Sequence, residues 1–325
     1  MYIRGFLRIP LLEVKVLLAN PRGFCAGVEM AVEVVNKVLE LKGPPIYVFH
    51  EIVHNRHVVE DFQNRGVTFI NEICEAPPGS VVVYSAHGIS PDIRRQSKQR
   101  NLTEIDATCP LVTKVHLEVL RFAKQGYTIF FIGHANHDEA VGTVGEAPQN
   151  ILVIESPEDV SRIEVKDETK LAYVTQTTLS VFEAQRIIDA LKSRFPNIKA
   201  PPKEDICYAT TNRQKAVAVL SPQVDLVLVV GSKNSSNSQR LVDTAKQAGK
   251  RAHLIDDARE LDKSWLNNTD TILVTAGASA PERLVNELLD RLKTQFNAEV
   301  ETRTLVDEGV SFALPQSLKA LSVVS

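Results

Sequence analysis

Short cysteine pairs, a basic excess and long apolar runs are all missing from this 325-residue chain. The four cysteines form no C-x-x-C pair, which excludes a zinc site closed by such pairs and a ferredoxin-type run. Without paired spacing they also argue against a disulfide framework and for a reducing, cytoplasmic setting. Lys and Arg number 37 against 40 Asp and Glu, a net charge of −3, so no basic footprint points to nucleic acid. No stretch reaches the roughly 18 to 20 continuous apolar residues of a membrane span. The opening MYIRGFLRIPLLEVK carries scattered charge and a proline but no small-residue cleavage site, so residues 1–13 read as an N-terminal extension and not as a secretory signal.

What remains is ordinary globular material, 44% apolar and 24% charged. The length calls for two or three domains. Short β-branched runs alternate with helical periods, which predicts an α/β fold with largely parallel sheets.

Three of the cysteines open the same local pattern. Cys25, Cys109 and Cys207, 84 and 98 residues apart, each follow a short extended run and precede a helical one. A second apolar run after each ends in a polar loop, placing His54, His137 and Ser235 at 29, 28 and 28 residues beyond the cysteines. A third run closes each unit, with His87, Thr177 and Ser279 at 62, 68 and 72 residues. A fixed period of this kind marks repeated supersecondary units. The expected units are 14–101, 102–203 and 204–297, with 298–325 as a C-terminal tail containing one strand-like piece, VSFALP. Three thiols near a pseudo-threefold axis can hold one inorganic centre with an open coordination position. Cys74 falls outside the register and reads as a buried apolar residue.

Polar loops at the carboxyl ends of parallel strands are where α/β folds bind ligands. GSKNSSNS and AGASAP put Ser235, Ser236, Asn237 and Ser279 just before helices, whose N-terminal N–H groups favour phosphate. With His54, His87 and His137 at matching places, the expectation is a pocket for a diphosphate-bearing ligand. Glu139, two residues beyond His137, is the candidate proton donor, with Asp138 beside it as the rival. His50-Glu51-Ile52-Val53-His54 fits the zinc-protease pattern H-E-x-x-H, but that chemistry needs a helix; Pro44, Pro45 and IYVF make this segment a strand end. Gly277-Ala278-Ser279 lacks the second glycine of a nucleophile elbow.

The strings NPRGFCAGV, YSAHGIS, DATCPLVTKVH, TQTTLS, DICYATTNRQ, VVGSKNSSNS and TAGASAP, taken in this order, resemble the 4-hydroxy-3-methylbut-2-enyl diphosphate reductase (LytB) family. The resemblance implies three parallel-sheet α/β lobes around one [4Fe-4S] cluster on Cys25, Cys109 and Cys207. It implies reductive loss of the C4 hydroxyl to give isopentenyl and dimethylallyl diphosphate, the last step of the non-mevalonate isoprenoid pathway. His54, His87, His137, Ser235, Ser236, Asn237 and Ser279 would hold the diphosphate, and Thr177 and Glu139 would handle the hydroxyl and its protons. Electrons would come from flavodoxin or ferredoxin with its NADPH reductase. An aconitase-like dehydratase and a cluster-bearing redox sensor are the competing classes. HDEAVGT departs from the family, which commonly has proline at Asp138 and a valine-glutamate pair at Ala140-Val141.

Overall fold

A computed structural model describes residues 14–267 and 269–323; the expected extension 1–13 lies outside the described residues. The chain starts with β1 (Lys15–Asn20) and passes Cys25 into the first lobe. This comprises α1 (Ala26–Lys42), β2 (Ile46–Phe49), α2 (Arg56–Asn64), β3 (Val67–Ile70), β4 (Val81–Tyr84), α3 (Pro91–Gln99) and β5 (Thr103–Asp106), with strand order β3-β2-β4-β5. The second lobe holds α4 (Pro110–Lys124), β6 (Thr128–Ile132), α5 (Asp138–Glu146), β7 (Ile151–Ile154), α6 (Pro157–Arg162), β8 (Leu171–Thr175) and α7 (Val181–Arg194), ordered β7-β6-β8. The third holds α8 (Tyr208–Leu220), β9 (Leu226–Val230), α9 (Ser236–Gln247), β10 (Arg251–Ile255), β11 (Thr271–Ala276), α10 (Glu282–Phe296) and β12 (Glu299–Thr304), ordered β10-β9-β11-β1-β12. Every strand pairing in the three sheets is parallel.

Local sequence explains the elements. LAYVT and LVLVV are buried at every position of β8 and β9, as expected of strands covered on both faces by crossover helices. Asn55, Ser90, Ser156 and Ser180 cap α2, α3, α6 and α7 with side-chain oxygens, each such cap being worth about 0.5–2 kcal/mol. Val115, Val119 and Phe122 of α4 pack on Ile129 and Phe131 of β6, while Ala216, Val217 and Leu220 of α8 pack on Val227 and Val229 of β9.

The sheets correct the expected unit boundaries. β1 hydrogen-bonds to β11 and β12, so the strand before Cys25 belongs to the third lobe and not to a unit 14–101. β5 pairs with β4, so residues 103–106 stay with the first lobe and not with 102–203. The run before Cys207 is no strand; Lys199 alone bridges to Ala172 of β8, again on the preceding lobe. The physical unit therefore begins with the helix after one cysteine and ends at the next cysteine, and each cysteine sits at a passage between lobes. The tail is corrected too: VSFALP is not a strand, whereas 299–304 forms β12 and 316–323 forms α11 (Gln316–Val323). Leu318 and Leu321 of α11 join the core of the first lobe, so the chain closes the circle it opened with β1.

Candidate active site

The same hydrogen bond recurs at each passage. Cys25 N–H donates to Ala278 O (3.1 Å), Cys109 N–H to Ala86 O (3.0 Å) and Cys207 N–H to Thr177 O (3.0 Å). Each acceptor lies two residues past the end of a closing strand, β11, β4 or β8. Each cysteine is also the residue before the first turn of a helix, α1, α4 or α8. Three helix N-termini thus meet at one cavity of ≈ 90 Å³ lined by all three cysteines, and their partial positive charge complements thiolates or an anionic centre. Burial raises all three thiols, Cys109 to about 12 and Cys207 to about 11, so near neutral pH they keep their protons until a metal displaces them.

The donor set fits an iron–sulfur cluster better than a single ion. Among the described residues the three thiols do not lie all within 4.8 Å of one another, whereas tetrahedral zinc with bonds near 2.3 Å holds its sulfurs roughly 3.8 Å apart. Gly27 leaves the thiols room: a Cβ there would lie 2.6 Å from Cys109 Sγ. Cys74 is exposed, beside Glu72 (3.3 Å), and is not buried as expected, since it lies on a short 3₁₀ turn at the rim of the first lobe.

The same cavity brings together every other expected site residue. Its lining includes His54, His87, His137, Glu139, Thr177, Ser235, Ser236, Asn237 and Ser279. His54 and His87 stack with ring centroids 4.0 Å apart, and His137 stands edge-on to both. His137 caps α5, its Nδ1 accepting from Glu139 N–H at 3.1 Å, which leaves Nε2–H as a donor in the neutral ring. Burial holds His137 down to about 4 and His87 well below the usual histidine range. An arriving phosphate would reverse both by supplying negative charge. Ser279 Oγ donates to His54 O (2.9 Å) and lies 3.2 Å from Ser235 Oγ. Asn237 accepts from Ala278 N–H (2.8 Å) and donates to Thr210 Oγ1 (3.2 Å), which is itself 3.2 Å from Cys207 Sγ. Ser235 caps α9, so that helix presents its N-terminus to the cavity. The segment His50–His54 is a loop after β2, not a helix, so the H-E-x-x-H pattern has no zincin geometry.

Glu139 is 1% exposed. Its Oε1 accepts from Thr177 N–H (2.7 Å) and its Oε2 lies 2.9 Å from Thr177 Oγ1. Burial outweighs these bonds and pushes its carboxyl up to about 7, the value wanted of a general acid at neutral pH. Asp138 is different. Burial is the largest influence and opposes its ionisation, but the 2.7 Å bond to His50 Nδ1 together with the charges of His50, His54 and His137 outweighs it and holds Asp138 below the usual range.

The family model described as LytB protein matches residues 16–293. The chain belongs to the LytB family. It is 52% identical over 308 residues to the 4-hydroxy-3-methylbut-2-enyl diphosphate reductase of Rhodopirellula baltica, covering 95% of this chain and 97% of that one. It is 54% identical over 306 residues to the same-named protein of Nocardia farcinica, covering 94% and 91%. The solved E-1-hydroxy-2-methyl-but-2-enyl-4-diphosphate reductase of Plasmodium falciparum superposes with a TM-score of 0.93 at 40% identity, covering 95% of this chain and 98% of that one. The three parallel-sheet lobes are thus the architecture of the family.

The lobes also expose a register slip in the reading of the LytB loops. Counting from the strand ends, the structural equivalents of Ala86 and Ala278 are met by Thr177, so His87 and Ser279 correspond to Thr178 and not to Thr177. Thr178 lines the cavity and accepts from Gln176 Nε2 at 2.9 Å. Aligning SAHG, QTTL and GASA on the ends of their apolar runs would have found it. Thr210, three residues after Cys207 and in contact with its sulfur, was also missed; nothing in ATTN distinguishes one threonine from the next.

Proposed function

We propose that the protein reductively removes the C4 hydroxyl of 4-hydroxy-3-methylbut-2-enyl diphosphate, giving isopentenyl and dimethylallyl diphosphate, with one [4Fe-4S] cluster on Cys25, Cys109 and Cys207. The observation that carries this reading is the sharing of one cavity by three equivalent thiols and a buried Glu139 whose carboxyl is raised to about 7. Two electrons and two protons turn the alcohol into the deoxygenated product and water. Bound there, the cluster would supply single-electron transfer and a Lewis-acidic iron beside the hydroxyl. Glu139 would protonate the departing oxygen, and Thr177 holds the carboxyl in one orientation through two hydrogen bonds. His54, His87, His137, Ser235, Ser236, Asn237 and Ser279 would bind the diphosphate. The relatives carry the name of this reductase, which supports the same substrate here. On this reading the enzyme works in the cytoplasm, fed by flavodoxin or ferredoxin and an NADPH reductase; among the described residues no helix is long and apolar enough to cross a membrane.

The test is anaerobic purification, an iron count, and turnover of the allylic diphosphate with and without a low-potential reductant. Iron-loaded protein that works only with reductant is expected. Turnover without reductant would replace the proposal with an aconitase-like dehydratase, and iron without turnover or pyrophosphate binding with a redox sensor.

A further inference from the structure

The three helices that follow the cysteines diverge at one equivalent position. Six residues after Cys25 stands Ala31, and six after Cys109 stands Val115, both fully buried and apolar. Six after Cys207 stands Arg213, 1% exposed and the largest fully buried side chain among the described residues. A charge in that slot is costly unless every donor is used.

All of them are. Arg213 Nε and Nη2 donate to Gly23 O (3.2 and 2.9 Å), and Nη2 also to Phe24 O (3.4 Å). Nη1 donates to Ala209 O (3.0 Å) and to both carboxylate oxygens of Glu308 (3.0 and 3.2 Å). Asn212 Nδ2 holds the same carboxylate at 3.1 Å. The carbonyls of the two residues before Cys25, that of the second residue after Cys207, and the segment after β12 therefore converge on one planar fork. Gly23 is at φ +64, a conformation that L side chains rarely adopt and that turns its carbonyl to the arginine. The passage from Cys109 to Cys207 has a separate clamp: Lys114 Nζ donates to Lys203 O, Glu204 O and Asp205 Oδ1.

Buried ion pairs seldom add net stability over apolar packing, and the other two lobes do without one here. We infer that Arg213 is a positioning residue for the metal centre, fixing Cys25 against Cys207, and that its pairing with Glu308 sets the local charge beside the centre. This rests on the cluster reading above. An arginine fork can hold several carbonyls in one plane where a lysine cannot, and groups behind metal ligands typically change metal affinity by about 10- to 100-fold when altered.

The test uses the full chain, purified anaerobically and reconstituted with ferrous iron and sulfide. Arg213→Lys keeps the charge but loses the fork; it should fold, as read by circular dichroism, yet lose its iron to a chelator about 10-fold faster than wild type, on the scale of such outer groups. Glu308→Gln keeps an acceptor for Nη1 but removes the negative charge. It should keep its iron and shift the reduction potential upward, because the uncompensated arginine favours the more negative, reduced centre. Arg213→Lys that loads and holds iron like wild type, or Glu308→Gln with an unmoved potential, would overturn the inference. Arg213→Lys that fails to fold would overturn it as well, by making Arg213 a general support of the third lobe. Wild-type protein that takes up no iron would instead bring down the cluster reading itself.

Discussion

The two ends of the central cavity are built from the same three lobes in opposite ways. At one end the lobes agree: each offers a cysteine, in the same slot before a helix, held by the same N–H···O bond to the preceding lobe. At the other end they disagree. His54, His137 and Ser235 stand four residues past the equivalents His50, Gly133 and Gly231, and His87, Thr178 and Ser279 one residue past the acceptor carbonyls. A near-symmetric end suits a centre with equivalent corners. An end with histidines on two sides and serines on the third suits a ligand that must lie one way round. Symmetry in the backbone therefore marks where the cofactor would sit, and its loss in the side chains marks where substrate would be told apart.

The sharpest way to break this comparison is to make the symmetric end unequal. Cys25→Ser, Cys109→Ser and Cys207→Ser should each strip iron and abolish turnover, because thiolates are the standing ligands of such clusters. Cys74→Ser, exposed and outside the repeat, should leave both unchanged. Iron counts decide it: one register variant that loads fully would show that the three passages are not equivalent.

Next in size is the acid between the two ends. Glu139→Gln keeps the shape of the side chain but has no proton to release; iron and substrate affinity should hold while turnover falls by roughly 10²- to 10⁴-fold. The sign of the pH effect follows from the raised pKa. Glu139 is protonated below about 7, so the acid form is lost as pH rises through that value and kcat/KM of the wild type should fall on the alkaline side. The variant should lack that limb. A limb that survives in the variant belongs to another group.

How much of this was readable beforehand follows the same division. The cysteine slots, the apolar runs and the helix starts are local patterns, and spacing alone placed Cys25, Cys109 and Cys207 together. Sheet membership is not local. β1 was assigned to the wrong lobe because a strand's neighbours are chosen by hydrogen bonding across 250 residues of sequence or more, as Lys15 with Thr271 shows. β12 escaped notice because EVETRT carries one apolar residue in six positions and lies at a sheet edge. Arg213 carries no local mark of its role, since only the packed lobes reveal that its whole fork is buried.

The asymmetric end should respond more gently, one contact at a time. Asn237→Ala removes the amide that ties Ala278 to Thr210, and Ser279→Ala removes the hydroxyl that joins His54 to Ser235. A lost hydrogen bond to a charged group costs about 1.5–3 kcal/mol, or roughly ten- to a hundredfold. Both variants should weaken substrate and free pyrophosphate alike in titration calorimetry, with iron unaffected. Loss of substrate affinity without loss of pyrophosphate affinity would move the diphosphate away from these loops.

The smallest effect is expected at the second carboxylate of the loop. Asp138 adjoins Glu139 and reaches the same histidines, with Oδ2 3.8 Å from His54 Nε2 and 3.9 Å from His87 Nδ1. It is a poor acid because the His50 bond and the neighbouring histidine charges together favour its ionised form, and an ionised carboxylate has no proton to give. That bond in turn raises His50, against the effect of burial, which favours the charged imidazole and with it an ion pair of no net charge. In Asp138→Asn the histidine loses its partner and its pKa falls, and at neutral pH a neutral pair replaces a neutral pair. Turnover should therefore stay within a few-fold of wild type. Pyrophosphate should bind the variant tighter than wild type only at acidic pH, where His50 becomes charged with no carboxylate to cancel it. If Asp138→Asn loses turnover and Glu139→Gln keeps it, the proton comes from the ion-paired residue and the distinction between the two carboxyls drawn from their surroundings is wrong.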